Sequence, residues 1–79
     1  MRIFTEAYDV SIDDIQQTEA KGVYIVDGSI VPSELQVIDI DIEGLPLDGT
    51  YQYNKTNGVI TIWSKAPCTV DSVITVYLQ

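Results

Sequence analysis

The sequence predicts an all-β fold, a small antiparallel β-sandwich or partly closed barrel of about six to seven strands, with residues 1–79 forming one β domain. Three observations predict it. The chain holds 9 Val, 11 Ile and 7 Thr among its 79 residues, and β-branched side chains favour pleated, half-buried surfaces. Turn signals recur at intervals of about 8 to 12 residues. The stretch Gly49 to Ser64 reads as a hairpin: two runs of aromatic and β-branched residues flank Asn54-Lys55-Thr56-Asn57-Gly58, and Asn57-Gly58 supplies the positive φ that a tight return needs.

The other elements follow in order. Residues 2 to 12 alternate loosely, with Phe4, Tyr8, Val10 and Ile12 at even positions, and predict a first strand. From Ser11 the period changes: Ser11 and Asp14 resemble a capping box, Ile12 and Ile15 share a helical face, and Gly22 is placed to end the element. This predicts a short helix at 12–21, with an irregular strand-to-strand connection as the rival, because the apolar stripe lapses after Ile15. Val23-Tyr24-Ile25-Val26 and Ser29-Ile30-Val31 flank Asp27-Gly28 and read as a second hairpin. Leu35 to Glu43 shows the cleanest alternation, which places Ile38, Ile40 and Ile42 on a core face and Asp39, Asp41 and Glu43 on a wet one. Gly44 to Gly49 reads as a loop whose Leu45 and Leu47 tuck against the core edge. Lys65 to Cys68 connects to a last strand, Thr69 to Leu78, with Ile74, Val76 and Leu78 on one face and Val73, Thr75 and Tyr77 on the other.

Composition narrows the function. A net charge of −8, from 12 acids against 4 bases, argues against nucleic acid or an anionic membrane as partner, since both need a basic footprint. No run of about 18 apolar residues exists, and Glu6 and Asp9 follow Met1-Arg2-Ile3-Phe4 closely, so neither a membrane span nor a signal peptide is read. The chain has no histidine, the commonest general base and metal ligand, and no phosphate-binding glycine loop. These features predict a protein that is not an enzyme and carries no cofactor. Cys68 is the only cysteine; it reads as a half-buried hydrophobe and excludes an intrachain disulfide.

Two acidic or polar motifs are weaker pointers. Asp39, Asp41 and Glu43 stand about 7 Å apart along one strand. Calcium needs six to eight converging oxygens, so the ladder reads first as a solvated face that discourages edge-to-edge pairing, with calcium through Asp27, Asp48 or Asp71 as the alternative. A small acidic inhibitor presenting these carboxylates to a basic protein is a further reading. Asn54-Lys55-Thr56 has the form of a glycosylation acceptor.

The most informative pattern is a surplus apolar face. If Ile60 and Ile62 share the core of Ile74, Val76 and Leu78, then Val59, Thr61 and Trp63 lie beside Val73, Thr75 and Tyr77 on the opposite side, with Tyr51 and Tyr53 adding to them. A strand apolar on both faces is covered on both or exposed on one to something other than water. Internal cover, a subunit or docking interface, and an aromatic platform for sugar rings all account for it.

The stretch Gly49-Thr50-Tyr51-Gln52-Tyr53-Asn54 to Gly58-Val59-Ile60-Thr61-Ile62, with Asp71 to Tyr77 as a closing strand, resembles small immunoglobulin-like β-sandwich modules of bacteriophage virions and bacterial surface proteins. The resemblance covers about a third of the chain. It implies a non-enzymatic structural protein, an auxiliary or decoration subunit that forms a homo-oligomer or docks on capsid or tail proteins, located in the virion after synthesis in the host cytoplasm. The alternative is a carbohydrate-binding or adhesive module that uses the aromatic face.

Overall fold

In a computed structural model, which describes residues 3–11, 14–66, 68 and 72–79, the chain forms two packed antiparallel sheets. The strands are β1 (Glu6–Ser11), β2 (Gln16–Gln17), β3 (Val23–Asp27), β4 (Val37–Ile42), β5 (Leu45–Pro46), β6 (Gly49–Asn54), β7 (Val59–Ser64) and β8 (Val73–Leu78). One sheet runs β1-β8-β4-β5 and the other β2-β3-β7-β6. The predicted sandwich is therefore present, with eight strands among the described residues.

Period-two alternation builds the core. Ile60 and Ile62 of β7, Ile74, Val76 and Leu78 of β8, and Ile40 of β4 have no exposed surface, and Tyr24, Val26, Ile15 and Val31 join them. β7 and β8 are both interior strands, each hydrogen-bonded on two sides, and they lie in opposite sheets. Their branched side chains meet between the layers, where each buried side chain contributes roughly 1.5 to 3 kcal/mol.

The predicted hairpin forms as β6 and β7, paired from Gly49↔Ser64 to Asn54↔Val59. Gly58 takes the positive φ of 67° and donates its N–H to the Asn54 carbonyl, while Asn57 Oδ1 accepts from Val59 N. A second tight return joins β4 to β5 through Glu43 (φ 54°) and Gly44 (φ 78°), inside the stretch read as a loop. Leu47 packs on the core there, but Leu45 is left 67% exposed.

Three expectations are corrected. The first is the helix at 12–21, where residues 14 to 22 instead turn into β2, with Gln16 and Gln17 paired to Ile25 and Tyr24; residues 12 and 13 lie outside the described ones. Among the described residues of this segment Ile15 alone enters the core, beside a two-residue edge strand. Thr18 then ties the turn, donating to the Val23 carbonyl at 3.0 Å and accepting from Ala20 N at 3.2 Å.

The second is the hairpin at Asp27-Gly28. Asp27 Oδ1 accepts from Ser29 N at 2.9 Å and caps a short 3-10 turn, Gly28–Ile30, which leads across to the other sheet, so β3 pairs with β7 and β2 only. Gly28 N donates to the Gly58 carbonyl at 2.7 Å, an approach so close that a Cβ at residue 28 would meet that oxygen at 2.6 Å.

The third is the alternation from Leu35 to Glu43. The β4–β8 register shifts between Val37 and Asp39, so Val37, opposite Leu78, packs on the core with Ile40 and Ile42, while Ile38 does not join them. One extra residue in a strand reverses the parity of everything before it. Asp41 in turn is only 6% exposed, so the face read as wet is partly covered.

This geometry predicts an ordering that simple alternation would not. Ile40→Ala should cost about 2 to 5 kcal/mol in urea unfolding with an unchanged m-value. Ile38→Ala should cost under about 1.5 kcal/mol, and equal losses at the two sites would contradict the bulge.

Candidate docking surface

The eight residues expected on one surplus face are placed in three different settings. Val59, Thr61 and Trp63 point outward from β7. Val73, Thr75 and Tyr77 point outward from β8, on the opposite side of the sandwich, because β7 and β8 belong to different sheets. Tyr51 and Tyr53 pair with the buried Ile62 and Ile60 and so face inward, packed against the core. Burial pushes the Tyr51 phenol up, and the nearby Asp39 adds to it. The expected single face is thus not assembled, and neither is a stacking platform of Trp63, Tyr51, Tyr53 and Tyr77.

Two distinct outer surfaces take its place. On the β1-β8-β4 side, carboxylates and hydroxyls interlock: Thr75 Oγ1 donates to Asp9 Oδ1 at 2.7 Å, Tyr77 OH to Asp41 Oδ2 at 2.9 Å, and Ser72 Oγ to Glu43 Oε1 at 2.9 Å. Phe4 stacks edge-on against Tyr77 with centroids 5.0 Å apart. Cross-strand pairing puts an acid beside a hydroxyl on neighbouring strands, so the sheet itself brings these partners together. Among the described residues no three acidic or cysteine side chains converge as a metal site would require.

The outer face of the other sheet is different in chemistry. Cross-strand rows set Val23 and Thr50 beside Trp63, and Ile25 and Gln52 beside Thr61. Asn54 and Asp27 flank Val59 at the far end, and Asp27 is the single carboxylate in these rows. Trp63 is 40% exposed and stands at the wall of a shallow recess of about 300 Å³, which Lys21, Lys65, Val23 and Thr50 also line. Lys65 lies 3.7 Å from Asp48, a pair so open to water that it contributes little.

Val23 and Ile25 belong to this surface and were not among the expected residues. Their signal was present, since Val23-Tyr24-Ile25-Val26 is apolar at odd and even positions alike, as only a strand with two apolar faces can be. Reading the segment as half of a local hairpin hid its pairing with β7.

Cys68 sits between the sheets' ends, and its backbone N–H donates to Tyr24 OH at 2.7 Å. Burial pushes the Cys68 thiol up; the Tyr24 hydroxyl draws it down and Glu43 pushes it further up. Burial likewise raises the Tyr24 phenol against the pull of the Cys68 N–H.

The class defined by this geometry is a small all-β sandwich with one acidic outer face and one outer face of mixed apolar and uncharged polar residues almost free of carboxylate. The chain matches no known protein-family model, no curated protein and no solved structure.

Cys68, Tyr24 and Tyr51, all raised, hold their protons more tightly folded than unfolded. Their contribution is complete below the unfolded values and is lost as the pH rises through the folded ones. The melting temperature should therefore fall between about pH 8 and about pH 11, and Cys68→Ser should remove the lower part of that fall. A melting temperature that rises across this window would refute the assignment.

Proposed function

We propose that the protein is a non-enzymatic structural subunit that works by docking, and that its docking surface is the outer face of the β2-β3-β7-β6 sheet. The observation that carries this reading is the exposed Trp63 with half-buried Val23, beside half-buried Ile25 and Thr61, on a face almost free of carboxylate in a chain of net charge −8. An exposed tryptophan on a face poor in charge fits an interface centre, where aromatic anchors dominate binding and charge is depleted. The acidic outer face opposite disfavours the wrong approach and so orients the subunit. The lack of histidine and a thiol raised by burial support the non-enzymatic part of the reading.

In its narrower form the subunit is an auxiliary or decoration protein of a phage virion, docked on capsid or tail proteins. The support for that form is the resemblance carried by Gly49 to Ile62 and Asp71 to Tyr77. The carbohydrate-binding alternative retains Trp63 alone on this face, because Tyr51 and Tyr53 turn inward and Tyr77 lies on the other sheet.

Density-gradient fractionation of a lysate that produces the protein tests the proposal. The wild-type chain is expected to sediment with assembled particles. The double variant Ile25→Ser, Trp63→Ser should move to the soluble fractions while its far-UV circular dichroism stays unchanged. A wild-type chain that remains wholly at the top of the gradient overturns the proposal, as does a variant that still sediments with particles.

A further inference from the structure

A two-sheet sandwich leaves four strand edges, and among the described residues three of them are blunted. β2 and β5 are two residues long, and β5 contains Pro46. β1 is six residues long but carries Glu6 and Asp9. The fourth edge is β6, Gly-Thr-Tyr-Gln-Tyr-Asn, also six residues, with no charge, no proline and an unbroken register to β7. Natural sheets protect long edges with charge, proline or bulges, because an open edge is a template for another strand.

The hydrogen-bond phase shows what β6 offers. Lys65 N donates to the Asp48 carbonyl at 2.8 Å, and antiparallel pairing alternates from there, so Thr50, Gln52 and Asn54 turn their backbone groups toward β7. Gly49, Tyr51 and Tyr53 turn theirs away from it. Among the described residues none bonds to these outward groups.

We propose that this edge pairs with β6 of a second copy, antiparallel about a two-fold axis, joining the two sheets into one of eight strands. In phase, Tyr51 faces Tyr51 of the second copy and Gly49 faces Tyr53 at both ends, which satisfies all the outward groups with roughly six backbone hydrogen bonds. Thr50 then lies opposite Gln52 of the second copy. Charge selects this arrangement. Asp48 precedes the strand and Lys55 follows it, so antiparallel pairing brings Lys55 of each copy toward Asp48 of the other, while parallel pairing would set like charges together. In a chain of net charge −8, an uncharged edge with a lysine at one end is where two copies can approach. The joined sheet would present two copies of the Trp63 face on one side, and the pairing itself does not depend on that face being a docking surface.

Light scattering over a hundredfold concentration range tests the edge with charge pairs at the exposed Thr50 and Gln52. The wild-type chain should reach twice the mass of one chain. The variants Thr50→Lys, Gln52→Lys and Thr50→Glu, Gln52→Glu should each stay at the mass of one chain, and their equimolar mixture should recover the doubled mass. Reduced net charge alone would help the lysine variant to associate, so its loss of pairing is specific to the edge. Trp63→Ser should dimerise as the wild type does. In a separate readout, the amides of Tyr51 and Tyr53 should exchange at least tenfold more slowly at the high end of the range than at the low end. A wild-type chain that stays single, charged variants that still dimerise, a mixture that does not recover, or a dimer lost in Trp63→Ser alone each overturns the proposal.

Discussion

Everything in this molecule depends on the contact between two interior strands that lie in opposite sheets. β7 brings Ile60 and Ile62, β8 brings Ile74, Val76 and Leu78, and all five are sealed from water. A chain of this length buries only about 60 to 65% of its unfolded surface, so it can close one core and no more. Placing its two most apolar strands face to face, rather than side by side, is what gives both sheets an inner surface. The connection after Ser64 must therefore cross the sandwich instead of turning back within one sheet, and Cys68, held by Tyr24, marks that crossing.

That crossing also sorts the surface chemistry. Strands β1, β8 and β4 bring Asp9, Asp41 and Glu43 into reach of Thr75, Tyr77 and Ser72, so each of these carboxylates is engaged by a hydroxyl. Hydrogen bonds to a charged acceptor are stronger than neutral ones, and they hold the acidic face in a defined arrangement. The other sheet receives the β-branched outer positions of β3 and β7 together with Trp63. Its acids are confined to the ends of strands. Two faces of such different character on one small domain make orientation a property of the fold itself, whichever surface the protein meets.

Local chemistry made part of this legible in the sequence. The β6–β7 hairpin was readable because Asn57-Gly58 fixes a turn whose geometry needs no distant partner, and the inward sets Ile60, Ile62 and Ile74, Val76, Leu78 were readable because side-chain alternation is a property of each strand alone. The segment 12–21 misled because capping residues mimic a helix start wherever they occur, while one buried residue, Ile15, decides the outcome through contacts far away in sequence. Asp27-Gly28 misled for a related reason: the same dipeptide serves a hairpin or a capped 3-10 turn, and the Gly28 contact with Gly58 selects the second.

By itself, then, the sequence determined the class, the strand periods, the absence of a histidine-based site and the existence of more apolar strand surface than one face could use. Only the tertiary structure decided which sheet each strand joins, and with it how that surplus is divided. Val59, Thr61 and Trp63 gained Val23 and Ile25 as neighbours and lost Val73, Thr75 and Tyr77 to the far side, while Tyr51 and Tyr53 turned inward. The physical reason is that alternation is encoded residue by residue, whereas sheet membership is settled by long-range pairing, in which one bulge near Val37 or one crossing after Ser64 reassigns a whole face.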